Sequence, residues 1–397
     1  MKRLFRDLAY MAVGAALLWL LLPERFAVNV PIALLGWGNA PPSGDAIQER
    51  LRLPAGFSIR LYASGLPGAR ILRVTATGDL LVSLPGSGRI VLLERDTNGD
   101  GLPDGRRDLL TGLNRPHGMD FHDGWLYVAE THAVGRIRFD AGTRGVSGEY
   151  DRIVTALPGG GAHWSRSVRF GPDDWMYVSV GSSCNACQEK DPHRAAILRF
   201  RPDGSAGEIY ATGLRNTVGF DWRAGTNELY GVDMGRDFLG DDFPPCELNR
   251  IERGKFYGWP YANADNIPDP DLGESNKAKI NDSVAPVHEF AAHSSPLGIS
   301  FLRGDKLPPA YQGAALVALH GSWNRTEKQG YELVSLHFDG TIAERKFVTG
   351  FEVDGDVIGR PVAVVQGPDG TLFISDDFTG SVYSVVYGAT GSAGRDR

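Results

Sequence analysis

Gly78-Asp-Leu-Leu-Val-Ser83 is the first of six similar stretches that decide the fold of this chain. Each stretch joins a turn residue to a short apolar run of the kind that forms a buried strand. The other five are Gly124-Trp-Leu-Tyr-Val-Ala129, Asp174-Trp-Met-Tyr-Val-Ser179, Asn227-Glu-Leu-Tyr-Gly-Val232, Gly313-Ala-Ala-Leu-Val-Ala318 and Gly370-Thr-Leu-Phe-Ile-Ser375. Successive copies start 46, 50, 53, 86 and 57 residues apart, which is close to the period of one propeller blade. The repeats predict an all-β, six-bladed β-propeller whose blades are four-stranded and antiparallel.

The composition agrees with one folded domain. The chain has 397 residues, of which 42% are hydrophobic and 22% are charged, so it can bury a large core. We expect a linker at 41–50, the propeller at 51–388 with an insertion at about 258–295, and a disordered tail at 389–397. The net charge of -7 disfavours a nucleic-acid partner, because such partners need a basic face.

Residues 1–40 have the pattern of an export segment. Lys2, Arg3 and Arg6 precede an apolar run from Leu8 to Leu22, and this order is typical of a secretory signal. The length of the run lies between that of a cleaved signal and that of a retained membrane anchor, so both stay open. In either case we expect an N-terminal apolar helix and a protein body in the periplasm or otherwise outside the cytoplasm.

The cysteines fit an oxidising compartment. Cys184 and Cys187 can close a small disulfide loop, which leaves Cys246 unpaired. The pair is not a haem attachment site, because Gln188 stands where a histidine is required. A structural loop or disulfide is favoured over a catalytic dithiol, since the surroundings are predicted to be strand and loop.

Cationic side chains recur just before the repeated strands. If these segments form the inner strands of the blades, their side chains converge on one central opening. The polar residues of these segments are Arg70, Arg73, Arg115, His117, His163, Arg166, Arg215, Asn216, His293 and Arg360. A local cluster of positive charge inside an acidic protein predicts a small anionic ligand.

His163 is the candidate general base of this opening. It follows the run Gly159-Gly-Gly161 and precedes a strand, and the ordinary pKa of a histidine lies near neutral. The alternative is a histidine that only binds a neighbouring loop. Arg215, Asn216 and Arg360 occupy matching positions in other repeats and would grip a polyanion, whereas each arginine alone would be a solvated surface charge.

Two acidic stretches are candidate metal sites. The first places oxygen ligands at alternate positions around a glycine, as calcium prefers, although a hairpin loop held by Asx turns has the same pattern. Its ligands would be Asp96, Asn98, Asp100 and Asp104. In the second stretch, Asp241, Asp242 and Glu247 flank a Pro-Pro turn and would bind a metal or form an acidic surface loop.

From about Leu51 to Tyr387 the chain resembles the glucose/sorbosone dehydrogenase family. The most specific matching segments are Leu53-Pro-Ala-Gly-Phe57, Ala162-His163, Thr212-Gly-Leu-Arg-Asn216, Glu247-Leu-Asn-Arg-Ile251, Tyr257-Gly-Trp-Pro260 and 360–370. The resemblance implies an oxidoreductase that uses pyrroloquinoline quinone and calcium as cofactors. It further implies that the substrate is an aldose or sugar-derived aldehyde, as for sorbosone, and that an external electron acceptor takes up the electrons.

The same resemblance implies roles for the catalytic residues. His163 is similar to the base that takes the hydroxyl proton while a hydride passes to the quinone. Arg215 is similar to the group that polarises the quinone oxygen that gains charge. Asn216 and His117 match further polar contacts of the cofactor.

The remaining cofactor contacts are also assigned by resemblance. Arg360 matches a position that pairs with a cofactor carboxylate, and Arg325 or Lys328 replaces a family lysine. The stretch from Asp241 to Glu247 falls where the family holds a calcium ion that bridges to the cofactor and acts as a Lewis acid. Many members of that family have an acidic residue at the position that Cys246 occupies in this chain.

Two other functions remain open from the residues. One is a calcium-dependent lactonase or esterase on a six-bladed propeller, which needs carboxylates and asparagines at the channel mouth. The other is a non-catalytic propeller that binds carbohydrate or a protein partner.

Overall fold

Six four-stranded antiparallel sheets are arranged around a central channel, as the repeats predict. The structure is a computed structural model that describes residues 39–388, together with Tyr10, Val28 and Asn29. The predicted N-terminal apolar helix and the predicted tail lie outside the described residues. Among the described residues, no helix is long and apolar enough to cross a membrane.

The described part of the chain has two short helices, α1 (Gly44–Arg50) and α2 (Lys277–Asn281). In chain order the strands are β1 (Phe57–Ala63), β2 (Leu72–Val74), β3 (Leu80–Leu84), β4 (Arg89–Glu94), β5 (Gly105–Leu110), β6 (Met119–His122), β7 (Trp125–Glu130), β8 (Ala133–Asp140), β9 (Gly145–Val154), β10 (Arg166–Phe170), β11 (Met176–Val180), β12 (Ala196–Phe200), β13 (Glu208–Thr212), β14 (Thr217–Trp222), β15 (Leu229–Asp233), β16 (Cys246–Ile251), β17 (Ala262–Asn263), β18 (Ile267–Pro268), β19 (His288–Phe290), β20 (Pro296–Phe301), β21 (Ala315–Leu319), β22 (Glu332–His337), β23 (Ala343–Val348), β24 (Glu352–Val353), β25 (Asp356–Val357), β26 (Pro361–Gln366), β27 (Leu372–Asp376) and β28 (Ser381–Tyr387).

The blades follow the chain except at the closure of the ring. Five sheets have the strand orders β2-β3-β4-β5, β6-β7-β8-β9, β10-β11-β12-β13, β14-β15-β16-β19 and β20-β21-β22-β23. In the sixth sheet, β1 pairs with β28, so the order is β1-β28-β27-β26. The innermost strands β2, β6, β10, β14, β20 and β26 contact one another in a ring.

The six repeated stretches form the second strand of each blade. β3, β11, β15, β21 and β27 are buried along their whole length, which explains their continuous apolar runs. The core lies between neighbouring sheets; for example, Leu80 and Val82 of β3 pack in one cluster with Val365 and Phe373 of the sixth sheet. Burial of these side chains provides most of the stabilising free energy of such a fold.

Glycines allow neighbouring inner strands to approach each other closely. A Cβ atom added at Gly219 of β14 would lie 2.5 Å from the carbonyl oxygen of Leu297. A Cβ atom at Gly298 of β20 would lie 2.6 Å from the carbonyl oxygen of Val362. A larger residue at either position would push the inner strands apart and widen the channel.

Two segments extend the blades. Between β16 and β19 the chain forms the β17-β18 hairpin and α2, within the long interval where the insertion is predicted. The stretch 41–50, which we predict to be a linker, contains α1, and Ile47 of this helix is buried in a core cluster with Leu51. Ser43 caps the start of the helix. The apolar contact of Ile47 packs the helix against the propeller.

Candidate functional site

The inner strands all begin at one end of the channel, here called the upper end. Because adjacent strands are antiparallel, the start of each inner strand lies beside the end of the second strand, as with Thr217 and Asp233. Most of the predicted cationic residues lie at this end. The residues that lie at the start of an inner strand or in the short segment before it are Arg70, Arg115, His117, His163, Arg166, Arg215, Asn216, His293 and Arg360.

Arg73 is the exception among the predicted ring residues. It lies within β2, and its Nε is 3.2 Å from Asp120 Oδ1. This pair belongs to the opposite, lower end of the channel, where the inner strands finish. Arg73 follows Arg70 in an extended segment, so it lies further along the channel axis. It is therefore not part of the upper cluster.

The imidazole of His163 is held by Ser182. Its Nδ1 lies 3.1 Å from the carbonyl oxygen of Ser182 and 2.9 Å from the hydroxyl oxygen. Since a carbonyl oxygen can only accept, we assign the ring proton to Nδ1, which leaves Nε2 as an acceptor. Burial, followed by the positive charge of Arg215, lowers the pKa of His163 to about 3. At neutral pH the imidazole is uncharged and can accept a proton.

Arg215 is fixed by a carboxylate and an amide. Its Nη2 lies 2.9 Å from Asp237 Oδ2 and 2.8 Å from Asn185 Oδ1, and its Nε donates to the carbonyl oxygen of Asn185 at 3.0 Å. The residue is 4% exposed. The next residue, Asn216, is also buried, and its backbone N–H donates to Asp233.

Three further arginines donate mainly to backbone carbonyls. Arg360 donates to His320 and Gly321 at 3.1 and 2.7 Å. Arg166 donates to the carbonyl of His163, and Arg194 to those of 159–160. No carboxylate of the described residues lies within ion-pair distance of Arg166, Arg194 or Arg360, so their charge is not compensated by direct pairing.

His117 carries a buried acceptor without a partner. The residue is 1% exposed, and its Nδ1 lies 3.2 Å from the carbonyl oxygen of Arg166. Burial, followed by the charge of Arg70, lowers the pKa of His117 well below its ordinary value. Its Nε2 has no hydrogen-bond partner among the described residues. An unsatisfied buried acceptor costs about 1–3 kcal/mol, which indicates a position where a ligand donor or water binds.

Sequence reasoning missed His320, a further histidine at the upper end. His320 Nε2 lies 2.8 Å from Asp377 Oδ1, and Arg70 Nη1 lies 2.8 Å from Asp377 Oδ2. Burial, followed by the charge of Arg360, lowers the pKa of His320 to about 4. The signal available in the sequence was the position of His320 and Asp377, directly after the second strands β21 and β27.

Arg325 and Lys328 bind other loops in this structure. Arg325 donates to the carbonyl oxygen of Asp241, and its Nη2 lies 3.0 Å from Asp242 Oδ1. Lys328 Nζ lies 2.6 Å from Asn29 Oδ1. The charge of Arg325 is therefore partly neutralised by one of the residues predicted to bind calcium.

The structure separates the residues of the predicted cofactor-side calcium site. The carboxylate of Asp242 accepts from Arg325, and that of Asp241 accepts from the backbone N–H of Thr326 at 3.0 Å. Glu247 lies on β16 and accepts from the backbone N–H of Ala264 at 3.0 Å. Burial, followed by the charge of Asp233, raises the pKa of Glu247 to about 8. These three carboxyl groups are not among the described clusters with metal-ligand spacing. A calcium ion held by this set stays a prediction.

The acidic loop between β4 and β5 is organised by its own side chains. Asp96 accepts from the backbone N–H groups of Gly99 and Gly101 at 2.7 and 2.6 Å. Asn98 accepts from Asp100, and Asp104 accepts from Thr97. This is the Asx-turn geometry that we weigh against calcium, and it leaves the metal untested.

Cys184 and Cys187 form a disulfide, which the sequence left open as one of two structural possibilities, with a Cα–Cα distance of 6.2 Å. Cys246 is a buried free thiol on β16. The disulfide loop lies beside the site, since Asn185 binds Arg215.

The family model described as TrAA12-like matches residues 51–388. The chain belongs to the TrAA12-like family. A protein of Borreliella burgdorferi described as uncharacterised is 30% identical to this TrAA12-like chain over 369 residues, with 87% of this chain and 93% of the relative covered. A pyrroloquinoline quinone-dependent sugar dehydrogenase of Hypocrea jecorina is 24% identical over 391 residues, with 83% and 87% covered.

Solved structures share the fold of the TrAA12-like chain. The holo form of the pyranose dehydrogenase domain of Coprinopsis cinerea that binds pyrroloquinoline quinone has a TM-score of 0.72 at 20% identity, covering 88% of this chain and 99% of that one. A calcium structure of a Trichoderma reesei carbohydrate-active enzyme of family AA12 has a TM-score of 0.72 at 23% identity, covering 85% and 97%. These likenesses establish the six-bladed propeller.

The upper end of this TrAA12-like propeller can bind an anion and accept a proton. The uncompensated guanidinium groups favour negative charge, and the buried Nε2 of His117 is an acceptor that no described residue uses. Asn216 adds an amide, and His163 presents a neutral ring nitrogen beside them. This donor set fits a planar polycarboxylate with polar ring edges.

Proposed function

We propose that this protein oxidises an aldose or a sugar-derived aldehyde with pyrroloquinoline quinone, and that His163 takes the hydroxyl proton. The observation that carries the proposal is a neutral histidine in the field of Arg215, Arg166 and Arg194, of which Arg166 and Arg194 have no carboxylate partner among the described residues. The relative from Hypocrea jecorina supports the chemistry, since it is described as a pyrroloquinoline quinone-dependent sugar dehydrogenase. Sorbosone-type substrates are part of the proposal and rest on the sequence resemblance.

The residues of the upper end would divide the work of binding. Arg360 would face a carboxylate of the cofactor, and Arg215 with Asn216 would face its quinone oxygens. His117 Nε2 would accept from a protonated ring atom. Pyrroloquinoline quinone, when bound, supplies an acceptor for the hydride of the sugar carbon.

His163 performs the proton transfer in this proposal. Its Nδ1–H is fixed by Ser182, so its Nε2 takes the proton of the sugar hydroxyl as the hydride leaves the same carbon. The sugar loses two electrons in this step, and an external electron acceptor later takes them up. Because a base with a pKa of about 3 is weak, a negatively charged cofactor also helps by offsetting the field of Arg215 and raising the basicity of His163.

Calcium is the second cofactor of the proposal. Glu247, Asp241 and Asp242 would be its protein ligands after a rearrangement that frees the carboxylate of Asp242 from Arg325 and that of Asp241 from Thr326. The lactonase alternative has less support, because Asp237 and Asp377 at the upper end are paired with Arg215 and Arg70.

An absorbance titration of the purified protein with pyrroloquinoline quinone tests the proposal. We expect saturable binding that strengthens when calcium is added. The loaded protein should then reduce an artificial electron acceptor when supplied with aldoses or sugar-derived aldehydes. Absence of saturable quinone binding, with and without calcium, would rule the proposal out.

We also propose that the protein works outside the cytoplasm. The charged and apolar pattern of residues 1–40 supports export, and the Cys184–Cys187 disulfide is typical of oxidising compartments. Cell fractionation with an antibody tests this. Recovery of the protein with the cytoplasmic fraction would contradict it.

A further inference from the structure

The disulfide loop 184–187 lies between the two central groups of the site. It follows β11 on the chain, and on one side it contacts Arg215, while on the other it contacts Ser182, which holds His163. One short loop therefore contacts both Arg215 and Ser182, the residue that holds the base His163.

Asn185 is the anchor of Arg215. Its carbonyl oxygen accepts from Arg215 Nε at 3.0 Å and from Trp259 Nε1 at 3.2 Å. Its side-chain Oδ1 accepts from Arg215 Nη2 and from the backbone N–H of Asp237, both at 2.8 Å. Its Nδ2 donates to the carbonyl oxygen of Asp237 at 3.0 Å. Every polar atom of the Asn185 side chain is thus used to place Arg215 or the carboxylate that pairs with it.

Ser182 connects His163 to the same loop. The His163 Nδ1 lies 2.9 Å from Ser182 Oγ, and Ser182 Oγ donates to the carbonyl oxygen of Cys184 at 2.7 Å. This chain of hydrogen bonds ends on the first cysteine of the disulfide. The orientation of the imidazole therefore depends on where the carbonyl of Cys184 lies.

The loop itself has few other restraints. Within the described residues, no backbone–backbone hydrogen bond holds the stretch 184–189. Ser183 is tied to Glu189 by contacts of 2.5 and 2.8 Å, and the disulfide joins Cys184 to Cys187. Since a covalent link removes conformations that hydrogen bonds alone would allow, the disulfide adds a covalent restraint to the hydrogen bonds that hold Asn185.

We propose that the disulfide loop is the positioning element of this site, with Asn185 placing Arg215 and Ser182 placing His163. Opening the disulfide releases both side chains together. Reduction by a small dithiol breaks the S–S bond, gives two thiols on the protein and leaves the reductant as a cyclic disulfide. The ligand named below rests on the proposed function, whereas the positioning itself does not.

The first arm of the test measures Arg215 without any cofactor. Protein with ¹⁵N-labelled arginine is compared in oxidised, dithiothreitol-reduced and C184S/C187S forms, and the Arg215 Nε–H signal is assigned with R215K. We expect slow hydrogen exchange in the oxidised protein and loss of this protection in the other two forms. Protection that is unchanged in a folded C184S/C187S protein would overturn the proposal. If that variant does not fold, the reduced wild-type protein decides in the same way.

The second arm measures quinone binding for two matched variants. N185A removes the Oδ1 acceptor of Arg215 Nη2, while N185D keeps it. We expect N185A and C184S/C187S to weaken quinone binding on the order of tenfold, as for other residues that orient a binding group, and N185D to recover most of it. Dithiothreitol should have no added effect on C184S/C187S. Equal affinity of wild type and N185A would contradict the role of Asn185.

The two arms separate this inference from the proposed function. If the oxidised wild-type protein binds no quinone, the proposed function fails, and the exchange of the Arg215 Nε–H still decides the positioning role. If quinone binds but Arg215 is indifferent to the disulfide, the positioning role fails alone.

Discussion

The two ends of the channel differ in how far their arginines are paired with carboxylates. At the lower end, Arg73 and Arg169 share Asp120, and Arg169 and Arg303 share Asp221, with N–O distances between 2.9 and 3.4 Å. At the upper end, Arg166, Arg194 and Arg360 donate to backbone carbonyls. The lower end is a closed network of charge pairs. The upper end pairs Arg70 and Arg215 with carboxylates, but Arg166, Arg194 and Arg360 have no ion pair among the described residues.

The pKa values of buried side chains differ between the two ends in the same way. His163 and His320 are neutral at the upper end, because burial and then arginine charge lower the pKa of the first to about 3 and of the second to about 4. At the lower end, the charge of Arg169 and Arg303 outweighs the effect of burial and lowers the pKa of Asp221. The lower network stabilises the ring, and the upper field prepares a site for an anion.

The largest expected effect is the loss of turnover in His163→Gln. Glutamine can keep a hydrogen bond to Ser182 but cannot take the hydroxyl proton, so kcat should fall on the order of 10²–10⁴-fold. Quinone affinity should be largely retained. Stopped-flow reduction of the bound quinone by sugar measures this step, and wild-type rates in the variant would remove His163 from the mechanism.

Replacing one arginine at each end tests the comparison directly. Arg360→Gln removes an uncompensated charge of the upper end, so quinone affinity should fall about 10–100-fold, as expected for a hydrogen bond to a charged group. Arg303→Gln is the matched control, since Asp221 keeps its pair with Arg169. Absorbance titrations measure both. Equal losses in the two variants would mean that the ends do not differ in ligand binding.

A stability effect should appear when the lower network is broken. Asp120→Asn removes the carboxylate that Arg73 and Arg169 share, and leaving buried charge unpaired should cost about 1–3 kcal/mol of unfolding free energy. Quinone affinity should stay near that of the wild type. Denaturant unfolding monitored by tryptophan fluorescence gives the first quantity, and an unchanged midpoint would show that the network contributes little.

A separate effect is expected on the pH dependence of stability. His163 has an ordinary pKa of 6.5 when unfolded and about 3 when folded, so the unfolded state binds an extra proton between these values. Stability is therefore full above pH 6.5 and falls as the pH drops toward 3, by up to about 1.4 kcal/mol per pH unit for this group. Asp221 contributes a loss only below its ordinary value of 3.8.

His163→Gln should make the decline between pH 6.5 and pH 4 shallower. Unfolding midpoints of the variant and the wild type at several pH values measure this difference. Parallel curves would mean that His163 does not titrate as its surroundings indicate. Arg303→Gln, at the lower end, is the control and should follow the wild-type curve in this range.

The fold and the upper ring were predictable because both repeat with the blades. The strand pattern located the second strands, and the positions before the inner strands located His163, Arg215 and Arg360. Arg73 was grouped with them, since the repeat pattern alone does not distinguish the two ends of a three-residue strand such as β2. The sequence therefore identified the segment of each blade that contributes to the site, but not the position of each side chain along the channel.

The supporting contacts were beyond the reach of the sequence. Arg70 and Asp377 are 307 positions apart, and nothing local links them until the ring closes. Asn185 sits in an irregular loop, where no periodicity indicates which way a side chain points. The acidic stretch from Asp241 to Glu247 predicted a single metal site, but Thr326 and Arg325 of another blade bind the carboxylates of its first two members, Asp241 and Asp242.

The pairing of β1 with β28 has a consequence for synthesis of the protein. The first strand of the ring completes a sheet whose other members are the last three to leave the ribosome. Until then β1 has no partner and exposes an open strand edge, which invites association with other chains. Closure of the sixth blade is therefore a late and slow step of folding, since the contacts that close it span nearly the whole chain. Chains that stop before Ser381 cannot complete this sheet.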